Sequence, residues 1–147
     1  MERTKDLLKN VLIDIEKGIK NNITAFTLSK RYNLSEIHLR RLFSFAFNRP
    51  ISGYIRSRTL SESLNDLLHT DKNIIDIALE YGFGFENSYS RSFKREFGIS
   101  PDNFRKSRKI IKIQLPLYLY VEKTRVRQYN LKNYQMEKVT LVTKKSV

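Results

Sequence analysis

One pattern occurs twice in this chain. Leu28-Ser29, Tyr32-Asn33-Leu34, Leu39-Arg40-Arg41-Leu42-Phe43 and Phe47-Asn48 recur as Ile77-Ala78, Tyr81-Gly82-Phe83, Tyr89-Ser90-Arg91-Ser92-Phe93 and Phe97-Gly98. The offset is 49 from Leu28 to Ile77 and 50 from Leu39 to Tyr89. Ser29 and Ala78 are both small, as close packing of two helices demands. Asn33 and Gly82 share a turn position, and both residue types tolerate positive φ. Arg41 matches Arg91, and Tyr54 matches Phe104. Two copies are too few for a solenoid. They suit two helix-turn-helix units in one domain, at about residues 24–48 and 73–98.

In the second copy, Ile74, Ile77, Ala78 and Tyr81 recur at helical spacing and form one buried face. Gly82 ends that helix in a left-handed residue. The helix Glu86–Phe97 buries Tyr89, Phe93 and Phe97 and leaves Arg91, Lys94 and Arg95 beside or opposite that stripe. In the first copy Thr24 caps Ala25–Arg31, and Ser35 caps Glu36–Phe47. Leu39, Leu42, Phe43 and Ala46 are expected inside, leaving Ile37, His38, Arg40, Arg41 and Ser44 for solvent or a ligand. A short helix pair with a basic, polar outer face is what major-groove reading requires. A helical hairpin with a solvated charged face has the same appearance, and it is the repetition that favours the first reading.

The remaining elements are read in chain order. Glu2–Lys20 is an amphipathic helix with Leu8, Val11, Leu12, Ile15 and Ile19 on one stripe. Asp6, Asp14 and Glu16 among its lysines favour core packing over a membrane surface. Arg49-Pro50 breaks the helix, and a long helix runs from Ile51 to about His69, roughly 27 Å at 1.5 Å per residue. Tyr54, Ile55, Leu60, Leu64, Leu67 and Leu68 are its apolar positions, and Arg56 and Arg58 are basic side chains near its start. Ser100 with Pro101 opens one more short helix, to about Ser107. After Lys109 the pattern changes. Ile111, Ile113, Leu115, Leu117, Leu119 and Val121 alternate with more polar residues, which predicts a strand, with Pro116 placing it at an edge or dividing it. A weaker strand is expected over Lys138–Thr143. The expected architecture is mainly α: a domain at 1–109 and a short β-type extension at 110–147.

Composition limits the partners. The formal net charge is +13, which points to a polyanion. Hydrophobic residues make up 40%, enough for a core. There is no Cys, which removes disulfides, zinc-thiolate sites and Cys nucleophiles. The first twelve residues contain no continuous apolar run, so no secretory leader and a cytoplasmic location are expected. No stretch approaches the roughly 20 apolar residues of a membrane span. The chain contains no paired carboxylates in a basic metal-site context, no HxE or HExxH motif and no Gly-rich phosphate loop. His38 and His69 are remote from each other. No catalytic residue, metal or cofactor is expected, and the chain is read as a non-enzyme.

The motifs IIDIALEYGF, SRSFKREFGISPDNFR and GYIRSRTL resemble the DNA-binding domain of AraC/XylS-type bacterial transcription regulators, over residues 8 to 107. The run SRSFKREFGISP is specific, because it combines a basic helix, its aromatic anchors, a Gly stop and a Ser-Pro start. The resemblance implies seven helices, with two helix-turn-helix units joined by the long helix. It implies that both recognition helices enter successive major-groove segments on one side of DNA, roughly 34 Å apart. It further implies a sequence-specific activator of the stand-alone type, monomeric, nucleoid-associated and contacting RNA polymerase. The extension resembles the opening of an effector domain cut short, and is the alternative route to a dimer. The competing reading is a nonspecific or architectural DNA-binding protein.

By motif position, the resemblance assigns base contacts to Ile37, Arg40 and Arg41 in the first recognition helix. In the second it assigns them to Glu86, Asn87, Ser88 and Arg91. Arg can pair with guanine O6/N7, Asn with adenine N6/N7, and Ile with a thymine methyl. Phosphate contacts are expected from His38, Arg56, Lys94 and Arg105. Phe85 departs from the polar residue usual in the family, and either caps the core or brings a different contact.

Overall fold

The computed structural model describes residues 2–118. Seven helices follow in order: α1 (Glu2–Gly18), α2 (Ala25–Arg31), α3 (Glu36–Phe47), α4 (Ile51–His69), α5 (Ile74–Glu80), α6 (Glu86–Phe97) and α7 (Pro101–Ser107). None is long and apolar enough to cross a membrane.

Local signals set the helix starts. Thr24 and Thr27 form a reciprocal capping box at α2. Ser35 accepts from the His38 amide at 3.1 Å, and Ser100 accepts from the Asn103 amide at 3.2 Å. Each such cap contributes about 1 kcal/mol. The turns follow the residues that tolerate left-handed backbone: Asn33 has φ 53° and Gly82 has φ 83°. Across each turn the chain makes the same bond, Leu34 N–H to Ser29 O and Phe83 N–H to Ala78 O, both at 2.9 Å. The first helix ends at Gly18 rather than Lys20, because Asn21 and Ile23 already bond back to the Gly18 carbonyl and Asn22 adopts φ 54°.

Two clusters make up the core. The first joins Val11, Leu12 and Ile15 of α1 to Leu28, Leu39, Phe43 and Tyr54. The second joins Leu60, Leu64 and Leu67 of α4 to Ile77, Tyr89, Phe93 and Phe104. The long helix therefore supplies its N-terminal half to one unit and its C-terminal half to the other. The aromatic anchors repeat as well. Phe43 lies 4.7 Å from Phe47 and 5.5 Å from Tyr54; Phe93 lies 4.7 Å from Phe97 and 5.9 Å from Phe104. Ala46, expected inside, is exposed. Phe47, stacked one turn beyond Phe43, takes the last inward position of α3.

Residues 110–118 do not form the expected strand, and the described residues contain no strand at all. The chain here is irregular and lies along α4, with its backbone bonded to side chains instead of a neighbouring strand. Gln114 N–H donates to Ser61 Oγ at 3.0 Å, and Leu117 N–H donates to the Tyr54 hydroxyl at 2.8 Å. The Gln114 carbonyl accepts from Arg58. Burial here does not alternate: Ile113 and Gln114 are both half-buried, and the adjacent Leu115 and Pro116 are both buried. Ile111 and Ile113 pack on the second cluster, and Leu117 and Tyr118 on the first. Lys138–Thr143 lies outside the described residues.

Candidate nucleic-acid interface

In both units the second helix buries one stripe and turns the other to solvent. On α3, Leu39 and Phe43 are fully buried, so Ile37, His38, Arg40, Arg41 and Ser44 face out. On α6, Tyr89 and Phe93 are fully buried, so Glu86, Asn87, Ser88, Arg91, Lys94 and Arg95 face out. Tyr89 is held by its hydroxyl, 2.8 Å from Ser63 Oγ inside α4. Burial raises this phenol above the ordinary tyrosine range, so it stays neutral and fixes the rotation of α6.

The outer faces correspond position by position. Glu36 matches Glu86, Ile37 matches Asn87, His38 matches Ser88, Arg41 matches Arg91 and Ser44 matches Lys94. The matched arginines differ little in surroundings: both are exposed, and neither side chain has a partner among the described residues. Two further side chains share this corresponding surface and escaped the sequence reading as contacts. Phe45 of α3 is 93% exposed, one turn beyond Arg41, and Arg95 occupies its place on α6. The helical period alone would have placed them outward.

The remaining basic residues divide into two groups. Arg40 is paired within its own helix, donating through Nε and Nη2 to Glu36 Oε1 at 3.0 and 2.7 Å. Such an exposed i, i+4 pair contributes about 0.3–0.5 kcal/mol and opens readily to a stronger anion. Arg56 is exposed on α4. With Arg40 it lines an open cleft of about 300 Å³ between the units, walled by Ile23, Ile55, Tyr81 and Phe83. Lys94 is exposed without a side-chain partner among the described residues. Arg105, by contrast, turns inward and donates to the main-chain carbonyls of Leu67, Asp66 and Thr70 at 3.1, 3.5 and 3.4 Å. These acceptors lie at the end of α4, where a cation complements the helix dipole. Their distance in sequence gives no local signal of this role. Arg58 is also withdrawn into the interior, at 1% exposure.

Among the described residues no group of three or more His, Asp or Glu is arranged to hold a metal. What the surface offers is hydrogen-bond forks, amides and cations on two matched helices. That chemistry reads base edges and holds phosphates.

Comparison with known proteins agrees with this architecture. The family described as a helix-turn-helix domain matches residues 28–107. The transcriptional activator AarP of Providencia stuartii is 32% identical over 101 residues, covering 69% of this chain and 75% of AarP. Among solved structures, the C-terminal domain of AraT, a response regulator of Geobacillus stearothermophilus, superposes with a TM-score of 0.67 at 22% identity, covering 71% of this chain and 87% of that one. The DNA-binding domain of the global transcriptional factor AdpA, solved with a target DNA, superposes with a TM-score of 0.62 at 20% identity, covering 69% and 90%. At these identities the two structures establish the shared fold. With more than half of its length in the matched domain, this chain belongs to the AraC/XylS-type family of helix-turn-helix DNA-binding transcription regulators.

Proposed function

We propose that the chain is a sequence-specific activator that inserts α3 and α6 into successive major-groove segments of one double-stranded site. The observation that carries this reading is the match between Arg41 and Arg91, two exposed arginines at equivalent positions of two helices built onto one shared α4. One chain then carries both readers, so a single monomer suffices for a two-part asymmetric site. The activator role follows the name of AarP, and contact with RNA polymerase belongs to that role.

Arg41 and Arg91 take guanine, Asn87 takes adenine, and Ile37 takes a thymine methyl, with Ser88 beside them. Arg40 joins them once its bond to Glu36 opens. Glu86 is the acceptor for cytosine N4 at the start of α6. His38, Arg56 and Lys94 are the phosphate contacts. Arg105, whose donors already serve α4, supports the frame instead.

Binding of single variants tests this. Arg41→Ala and Arg91→Ala should each cost about 1–3 kcal/mol on a selected duplex and relax base preference at separate positions. Lys94→Ala should weaken all duplexes alike and reduce the salt slope by about one. If both arginine variants lose equally on selected and random DNA, the +13 charge is acting without base readout, and the architectural reading replaces this one.

A further inference from the structure

The two reading helices begin differently. At the head of α3, Ser35 caps the helix through its hydroxyl. Its counterpart at the head of α6 is Phe85, with extended backbone (φ −139°, ψ 148°) and no side-chain cap bond. The Phe85 ring is 74% exposed and belongs to neither core cluster. The aromatic packing at this corner comes from its neighbours, Phe83 lying 5.3 Å from Tyr89. Single exposed apolar residues are common, so exposure decides nothing by itself. Here the exposed ring also displaces a residue type that would cap the helix. It adjoins Glu86, Asn87 and Ser88, at the end of a recognition helix that approaches base edges most closely. The preceding Gly84 has no atom within 4 Å of where a Cβ would stand, so the approach to the ring is open.

We propose that Phe85 is a specificity residue whose ring packs on the C5-methyl group of a thymine in the second half of the DNA site. Among major-groove features that methyl is the one apolar group, and Phe is among the side chains that contact it. With Asn87 nearby to take an adenine, the half-site under α6 is biased to A·T pairs. The first unit presents Ile37 two residues further along its helix than the position of Phe85, so its own thymine falls in a different register. This inference rests on the DNA-reading function proposed above.

The test uses the duplex selected by the full chain, with each thymine of the second half replaced in turn by deoxyuridine, which lacks only the methyl. Wild type should lose about four-fold in affinity at one position, the equivalent of one buried methyl group. Phe85→Ala should bind the thymine and deoxyuridine duplexes alike at that position. Phe85→Ser should show the same indifference while melting at or above the wild-type temperature, because serine restores a cap. The proposal is overturned if no thymine is sensitive in wild type, if Phe85→Ala keeps the sensitivity, or if Phe85→Ser unfolds the domain. A scrambled duplex is run beside these. Equal wild-type binding to selected and scrambled DNA would sink the DNA-reading function itself, whereas specific binding without methyl sensitivity sinks only the role of Phe85.

Discussion

Arg58 and Glu16 meet in a two-pronged ion pair inside the protein, Nε to Oε1 and Nη2 to Oε2, both at 2.7 Å. The same guanidinium reaches Glu62 one turn along α4 and the main-chain carbonyl of Gln114. One side chain thus ties α1, α4 and the segment after α7 together. Burial alone would lower its pKa, but the hydrogen bonds and charges of Glu16 and Glu62 outweigh that and raise it, so the cation is secure.

Removing one partner of a buried pair leaves the other charge uncompensated. Arg58→Ala is expected to cost about 3–5 kcal/mol of unfolding free energy. Urea denaturation measures it. A loss below about 1 kcal/mol would show that the two carboxylates are adequately solvated without the arginine.

The segment after α7 contributes to stability because it packs on both units. Leu115 is 2% exposed, and Leu115→Ala should cost about 2–3 kcal/mol, at the low end for a buried leucine. A chain cut after Lys109 should lose more, since Arg58 also loses the Gln114 carbonyl and the Tyr54 hydroxyl loses its donor. Equal melting temperatures for the cut and uncut chains would remove this segment from the stability account.

The turn between α5 and α6 depends on its glycine. Gly82 has φ 83°, and a Cβ there would stand 2.1 Å from Asn22 Oδ1. Asn22 can swing aside, but the left-handed backbone cannot be avoided. Gly82→Ala should therefore destabilise by about 1–2 kcal/mol. Asn33→Gly, at the equivalent turn with φ 53°, should be nearly neutral. Thermal unfolding of the two variants side by side checks the contrast.

Alkaline pH should unfold the domain through its tyrosines. Tyr32 is pushed up to about 12, first by burial and then by its bond to Asp14. Burial likewise holds Tyr54, Tyr81 and Tyr89 above the ordinary range. A raised folded-state pKa means that folding favours the protonated phenol. The stabilisation is complete below about 10, the unfolded value, and is lost as pH rises through about 12. Phenolate absorbance and melting temperature, followed together across that window, should show ionisation lagging behind that of the urea-unfolded chain. Coincident titrations would contradict this.

Much of the helical frame was legible because its causes are local. Thr24, Ser35 and Ser100 announce helix starts, Asn33 and Gly82 announce turns, and the apolar period of each helix tells its inner face from its outer one. The outward placement of Ile37, Arg41, Asn87, Ser88 and Arg91 follows from that same period. What escaped depends on distant partners. Arg58 could be read only as a basic side chain near the start of α4, because Glu16 lies 42 residues away and Gln114 lies 56 away. The inward bonds of Arg105 could not be foreseen either, because the carbonyls it reaches lie 35 to 39 residues back. The alternation after Lys109 suggested a strand, but the segment is irregular and buries adjacent residues, because its partner is α4 and not a sheet. The bond from Arg40 to Glu36 was within reach of i, i+4 spacing, yet that spacing cannot say whether the pair outcompetes DNA.

Two matched helices in one chain are proposed to read two adjoining stretches of duplex. Site selection from random double-stranded DNA tests it most directly, followed by titration of the winner and a scrambled duplex at two salt concentrations. The expected result is an asymmetric site with two short boxes about one helical turn apart, bound more tightly than the scrambled duplex at both salts. No enriched sequence, with equal and equally salt-sensitive binding to both duplexes, would contradict it.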